Sequence, residues 1–590
     1  MNSSLIVTLI LFSLFFSFNV ATMINSQDNI HNIIQLPSSL PRWTLDQGEG
    51  FGSGTIDLGG LAVTHVTSFK KIWSINIKGG PDTSGITFYD PVEIPHGFSS
   101  LGSYAHPNNI PLFAHFHVAK DVSNNPYKPA LKSPIDYVLR WSSRSLNISK
   151  DGEVYVWLPI APYRYKAIGY VITSEFKKPS LDRVSCVHVK FTDHTTTKRS
   201  SNYHVDFTDH TRTKTSLNDH VMTIAFENPN VIDLNRLHVH SSMGGIKIKN
   251  ERLGKLQGTN KVSYALPNLG QIRTLIKAYA PVIYFHPDEE YLPSSVEWFF
   301  ENGALLYHVG DELKPIPVQS NGANLPQGGP NDDTYWLDLP VDWPSKERVM
   351  SGNLQTARAY FHVKPVSGGL YTDISIWVFH PFNGASRAKV LSKVILLGRI
   401  GEHVGDWEHV TLRISNINGE LNSVYFGRHS WGEWVSGADL EWDANSRVIA
   451  YSALHGHGLY PRSGMVHFGW KGAKVAGLVD ITAPSNKVMD TGVGAMVVAA
   501  EYLGGVVVEP PWLNYMRNWG PPIKYVIDEE LDAILHSLKW YLRGVFRRFI
   551  ESMPKVLFGA DGPSGPKVKN SWNGSEELYM EDQRILYYIF

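Results

Sequence analysis

The chain has 590 residues, with 54 Lys and Arg against 55 Asp and Glu, a formal net charge of -1 and a pI near 7.1. That balance, with no basic run interleaved with aromatics, excludes the electrostatic footprint of a nucleic-acid binder. A single cysteine, Cys186, excludes an intramolecular disulfide, and 50 Gly, 35 Pro and 12% aromatic residues favour a mainly β fold in roughly two to four domains.

The apolar run from Leu5 to Ala21, followed by Asn25-Ser26-Gln27-Asp28, reads as a signal peptide over residues 1–21. It directs the chain to the secretory pathway, with an extracellular or vacuolar destination. The run is also long enough for an uncleaved membrane anchor, and no Lys or Arg precedes it. Asn147-Ile148-Ser149 and Asn573-Gly574-Ser575 are glycan acceptor sequons.

An N-terminal β domain is expected over residues 40–245. Leu61–Val66 and Ile72–Ile77 read as strands, with a turn at Gly79-Gly80-Pro81-Asp82. Phe88 to Tyr104 has an echo in Val156 to Val171. Both pass from an aromatic through two spaced prolines to another aromatic and then an apolar-Gly step. The spacing predicts two equivalent corner-plus-strand units within one domain. Residues 189–220 hold a tandem duplication in which Phe191-Thr192-Asp193-His194 returns as Phe207-Thr208-Asp209-His210. Lacking an apolar face, it is expected to be an exposed loop or hairpin.

A C-terminal β-sandwich with flanking helices is expected over residues 265–565. The stretch from Leu275 to Ser295 reads as a strand running into an acidic corner, followed by a short helix near Val296–Phe300. Strands are expected near Arg358–Val363, Ile374–Phe379, His409–Ile414 and Ser423–Phe426, with Ala495–Ala500 an apolar run of open type. A single amphipathic helix is expected over 528–552, with Asp528 as N-cap and an apolar face from Leu531 to Ile550. Its expected role is core packing, with membrane contact the alternative.

The chemistry concentrates between Ile376 and Ile414. Val410, Leu412 and Ile414 alternate as on a strand, so Asp406 and Glu408 share a face. An unbroken strand would carry Val410 on that face too. The carboxylates therefore stand at the strand's open end, or a bulge intervenes. His403 lies in the loop before them. Two carboxylates and an imidazole make donors for a hard or borderline divalent ion. The alternative is an exposed strand end with scattered polar side chains.

Pro41-Arg42-Trp43, Ser103 to Asn109, Tyr279 to Ser295, Val404 to Val410 and Tyr451 to Pro461 resemble the plant family named after vacuolar protein sorting-associated protein 62. The resemblance runs from about residue 40 to 565. It implies a link to vacuolar or secretory trafficking and assigns no chemistry. It also implies a shorter, Cys-containing segment where 189–220 stands, so a partner for Cys186 is missing. A shorter stretch is similar to the necrosis-inducing-protein-like cytolysins, whose motif is Gly-His-Arg-His-Asp-Trp-Glu. His403 falls on its first His, and Asp406, Trp407 and Glu408 fall on Asp-Trp-Glu. Gly405 stands at the second His and Glu402 at the leading Gly. Asn383 takes the place of an upstream Asp, and His429 or His455 that of a later His. The resemblance implies a sandwich whose base holds a divalent cation and helps bind sphingolipid sugars.

The expected function is thus non-enzymatic, divalent-cation-assisted binding of a glycan or lipid headgroup. His403, Asp406, Glu408, Asn383, His429 and His455 are the candidate ligands of a Ca²⁺ or Mg²⁺ ion, and Trp431 and Trp434 would stack on a sugar. Peripheral membrane contact is a further possible partner; nucleic acid is not. Two alternatives stand beside it: a metal-dependent hydrolase of an ester or phosphodiester, and an interaction protein in trafficking without a metal site. No nucleophile elbow favours the hydrolase.

Overall fold

The computed structural model describes residues 33–35, 50–76, 85–108, 116–145, 152–192, 265–429, 431–437, 439–444, 447–468, 476–522, 525–552, 562–573 and 587–588. The expected signal peptide and most of the tandem duplication lie outside them. The described structure is mainly antiparallel strand with few helices.

The N-terminal part is two copies of one unit. In the first, β1 (Leu61–Val66), β2 (Ser68–Asn76), β3 (Gly85–Pro91), β4 (Ser99–Ser100), β5 (Tyr104–Pro107) and β6 (Phe116–Asp121) form two ladders, β2-β3-β5 and β1-β6-β4. In the second, β7 (Leu131–Lys132), β8 (Asp136–Ser142), β9 (Tyr155–Ile160), β10 (Tyr165–Lys166), β11 (Val171–Thr173) and β12 (Cys186–His188) form β8-β9-β11 and β7-β12-β10 in the same connectivity. Even the irregularities match: the β2–β3 register shifts between Lys71 and Trp73, and the β8–β9 register between Leu139 and Trp141. Equivalent side chains meet in one core, where Trp73, Phe88 and Ala105 pack with Trp141, Val156 and Ile172. Cys186 is buried, and burial pushes its thiol up to about 12.

The second part opens with helix α1 (Leu269–Tyr279), where a strand was expected. Asn268 and Gln271 form a reciprocal capping box that starts it. The strand is confined to β13 (Val282–Tyr284), beyond Pro281, and the short helix α2 spans Val296–Glu301. The central sheet contains β14 (Ala359–Val366), β15 (Tyr371–Asn383), β17 (His403–Ser415), β18 (Leu421–Arg428), β19 (Trp431–Ser436) and β24 (Met496–Ala499), with β16 (Arg387–Val390) placed elsewhere. Its order is β19-β18-β17-β15-β14-β24. A second sheet uses β20 (Ile449–Ser452), β21 (Leu459–Tyr460) and β23 (Val488–Asp490), in the order β21-β20-β13-β23. The two sheets enclose the main core, with Ile374, Ile376, Val378, Val410, Leu412 and Ile414 against Ile283, Ala450, Leu459 and Met489.

The outer face of the central sheet is also covered. Trp377, Phe379 and Trp407 pack on Val296, Phe299, Phe300, Trp512 and Trp519. Both faces of β15 are therefore buried, which fits the unbroken apolar run Ile376-Trp377-Val378-Phe379 in its middle.

The expected single helix is two, α3 (Ile527–Ser537) and α4 (Trp540–Ser552). Val526, not Asp528, is the N-cap. The chain turns extended at Leu538, and the Arg543 guanidinium donates to the carbonyls of Leu538 and His536, satisfying the broken helix end. The break lets Leu531, Ile534, Leu538, Leu542 and Phe546 all reach one core with β16 and β22 (Ala476–Thr482). Among the described residues no helix is long and apolar enough to cross a membrane.

Candidate functional site

β15 and β17 pair along their full length, with Asn383 opposite His403, His380 opposite Asp406 and Val378 opposite Glu408. Asp406 and Glu408 share the face of Val410, Leu412 and Ile414, so they extend the inward face beyond the end of the apolar layer. The open-end alternative holds for them. Just before, Gly405 takes φ +66°, and Val404 packs on the same side as Trp407. A side chain at 405 would meet the Trp519 backbone carbonyl.

The partner that closes on Asp406 is His457. Its Nδ1 lies 2.9 Å from Asp406 Oδ2, its Nε2 lies 3.8 Å from Glu289 Oε1, and the side chain is fully buried. Burial disfavours its charge, but the bond to Asp406 and the facing Glu289 win and raise it to about 10. Asp406 is correspondingly held well below the usual carboxylate range: burial opposes this, and His457 and His403 override it. Glu289 accepts the amides of Glu290 and Tyr291 on one oxygen and that of His455 on the other, at 2.7–3.0 Å. Burial is outweighed there too, by His457 and those amides, and Glu289 stands at about 2. The acidic corner and the turn between β20 and β21 are thereby tied to each other.

His380 stacks on His457 with ring centroids 3.7 Å apart and faces the Tyr291 carbonyl through Nδ1 at 3.1 Å. Burial, then the positive neighbour, push it down to about 3. One imidazole of the stack is charged and the other neutral.

Glu408 differs from every acid around it. It is buried, and among the described residues it accepts no hydrogen bond. Burial first, then the charge of Asp406, push it up to about 8. At the solvent end, His429 Nε2 lies 2.9 Å from Asp480 Oδ2, which also accepts the Tyr460 hydroxyl at 2.5 Å. Partial burial opposes the His429 charge, and Asp480 overrides it and raises His429 to about 9. Its side chain is 44% exposed.

The other expected residues serve the surrounding scaffold. His403 Nδ1 lies 2.9 Å from the Gly405 carbonyl, and burial lowers its pKa. Asn383 donates to the carbonyls of Gly384 and Gly401. His455 stands edge-on to Tyr291, with its Nε2 3.4 Å from Arg387 Nη2. Thus Asp406 and Glu408 come together, but the imidazole on Asp406 is His457 rather than His455 or His429. Trp434 does not offer a face to a sugar: it is buried, and the Arg413 guanidinium covers its ring at 4.1 Å. The side chain of Trp431 lies outside the described residues. Arg413 is itself committed to Asp373 through two hydrogen bonds, and Arg428 to Glu433, so neither pairs with Asp406.

Glu289, His380, His457 and Asp480 escaped the sequence reading. A signal for one existed, since His455 and His457 are two apart in a Gly-rich turn. Among the described residues no three His, Cys, Asp or Glu side chains are arranged to hold a metal ion. Asp406 and Glu408 are two carboxylates on one strand face, and among the described residues Glu408 accepts no hydrogen bond.

The profile of the family described as Vacuolar protein sorting-associated protein 62 matches residues 30–576. No curated protein matches the chain. Among solved structures, GNIP1Aa from Chromobacterium piscinae is 19% identical over 23% of this chain and 26% of that one, with a TM-score of 0.19. The chain thus spans about a quarter of that protein's length. NLPPya in complex with glucosamine is 14% identical over 32% of this chain and 67% of that one, with a TM-score of 0.18. The non-toxic HaNLP3 protein is 10% identical over 41% and 80%, with a TM-score of 0.21.

Proposed function

The chain belongs to the vacuolar protein sorting-associated protein 62 family, and from that premise we propose a non-enzymatic binding role. In this reading Asp406 and Glu408 take a divalent cation at the polar end of the sandwich, and the cation holds a glycan or lipid headgroup. Glu408 carries the reading. It is buried beside a second carboxylate and accepts no hydrogen bond among the described residues, while the positive groups around it, Lys569, His429 and His457, are each bonded to another acceptor. A cation bound directly to it would offset the cost of ionising it there. Mg²⁺ is the better fit, because it binds through one or two carboxylates and keeps several waters, which sugar hydroxyls can replace. His457 supports the site by keeping Asp406 ionised, so that only Glu408 has a proton to lose. Delivery along the secretory route to the vacuole, directed by residues 1–21, is the setting we infer for this binding.

Calorimetric titration of Mg²⁺ and Ca²⁺ into the unmutated protein and Glu408→Gln tests it. We expect saturable heat, proton release from Glu408, and affinity that rises with pH toward about 8. Glu408→Gln should weaken binding by about tenfold or more, since it removes half of the carboxylate charge. No heat at millimolar ion would mean that a proton, not a cation, neutralises Glu408.

A further inference from the structure

A cavity of about 360 Å³ lies in the N-terminal part, remote in sequence from the carboxylate pair. Its walls come from equivalent places in the two units. Asp57 and Gly60 precede β1 and Asn125 follows β6 in the first; Lys128 precedes β7, and His188 and Lys190 end and follow β12 in the second. The cavity is thus a seam between repeats, a common position for small-molecule sites, and its volume is at the low end of their roughly 300–1,000 Å³ range.

The polar groups of this seam are unequally spent. Asp57 Oδ1 already accepts the amides of Gly59 and Gly60, at 2.9 and 2.7 Å. Nearby Asp121 accepts those of Ser123 and Ala130 on its two oxygens. Asn125 Oδ1 accepts the amides of Tyr127 and Lys128. The donors are less engaged, the Lys190 ammonium resting over the Phe191 ring at 4.3 Å from its centroid. Among the described residues neither Lys128 nor Lys190 forms an ion pair. His188 Nδ1 accepts the Lys190 amide at 3.2 Å, which leaves Nε2–H as the ring's donor. Lys132 and Arg164 add to the positive field: after burial, the charges of Lys190, Arg164, Lys128 and Lys132 lower the His188 pKa.

We propose that this seam binds a phosphate dianion, free or as the monoester of a small sugar or lipid headgroup, on Lys128, Lys190 and the Nε2–H of His188. The dianion matches two lysines and an imidazole N–H that outnumber Asp57, the carboxylate in the lining, and charge-assisted bonds of this kind are the strong ones. A cavity larger than phosphate alone leaves room for the esterified group.

The test uses the full chain, titrated with inorganic phosphate and with glucose 6-phosphate. Flotation with phosphatidylcholine vesicles, with and without phosphatidic acid, separates a soluble source from a headgroup. We expect saturable binding that weakens with salt and falls about tenfold in Lys128→Gln and in Lys190→Gln, both surface changes that leave the fold intact. Glu408→Gln should leave it unchanged, so failure here is distinct from failure of the cation site. Binding of the soluble phosphates supports a soluble ligand, and capture by phosphatidic acid vesicles alone, lost in the double variant, supports a headgroup. Absence of both overturns the proposal, as does binding that survives removal of both lysines.

Discussion

The imidazole of His457 is fully buried, faces Asp406 and Glu289, and stacks on His380. Removing its charge would leave buried Asp406 without a counter-ion and Glu289 with only its backbone amides, so His457→Gln should cost about 3–5 kcal/mol in urea unfolding. Adding Asp406→Asn should return part of that loss, because one stranded charge disappears; a double variant no more stable than the single would disprove the pairing. The pH dependence follows from the same groups. His457 is raised to about 10 from 6.5, so its stabilisation is complete below about 6.5 and is lost as pH rises through 10. Glu408 is raised to about 8 from 4.5, so the folded state keeps a proton that the unfolded chain releases, and stability falls as pH rises from 4.5 to 8. Between pH 6.5 and 8 both act together, each by up to about 1.4 kcal/mol per pH unit. Chemical unfolding across that window should show a steep loss, and Glu408→Gln should roughly halve the slope. An unchanged slope in that variant would place the proton elsewhere. Asp406 and Glu408 were legible in the sequence because their i, i+2 spacing fixes a shared face. His457 was not, since the partner of a buried acid is set by which turn the fold brings over it, and His455 and His457 are equally good by residue type.

At the scale of elements, the two N-terminal units were legible through their paired prolines and aromatics, and the structure gives them the same strand connectivity and the same register shift. The cross-unit contact could not be read from composition. Gly102 and Gly169 approach so closely that a Cβ on Gly102 would lie 2.9 Å from Gly169 Cα and 3.0 Å from the Tyr170 carbonyl. Gly102→Ala should therefore wedge the units apart and cost about 1–3 kcal/mol, as overpacking does. Equilibrium unfolding measures it, and a neutral result would mean that the units are not seated on each other there. Two helical features were misread for local reasons. Val282–Tyr284 is β-branched and aromatic and drew the preceding Leu275–Ala280 into the same strand, although Asn268 and Gln271 already marked a helix start. The α3–α4 break preserves the apolar periodicity on either side, so a period count runs straight through it.

In the whole molecule, the two parts share a core. Ile56, Leu58, Leu61 and Val63 of the first pack with Leu370, Tyr371 and Ile417 of the second. The amides of Gly52 and Gly54 donate to the carbonyls of Asn416 and Ile417, at 2.9 and 2.7 Å, and Asn418 meets the His65 ring at 3.2 Å. A mainly β chain with two regions was readable from runs of short apolar strands; this joint was not, because Ile417 lies in a turn between β17 and β18 that carries no periodic signal. Ile417 is 1% exposed, and Ile417→Ala should cost about 2–5 kcal/mol by the cavity it leaves. Since that cavity opens onto strands of both parts, the loss should be felt on both sides of the joint. Native-state hydrogen exchange distinguishes the outcomes. Faster exchange at the amides of Val63 in β1 and of Leu412 in β17 together would mark one cooperative unit. Faster exchange at Leu412 alone would show that the N-terminal units hold their own stability, and that the shared core positions them without coupling them.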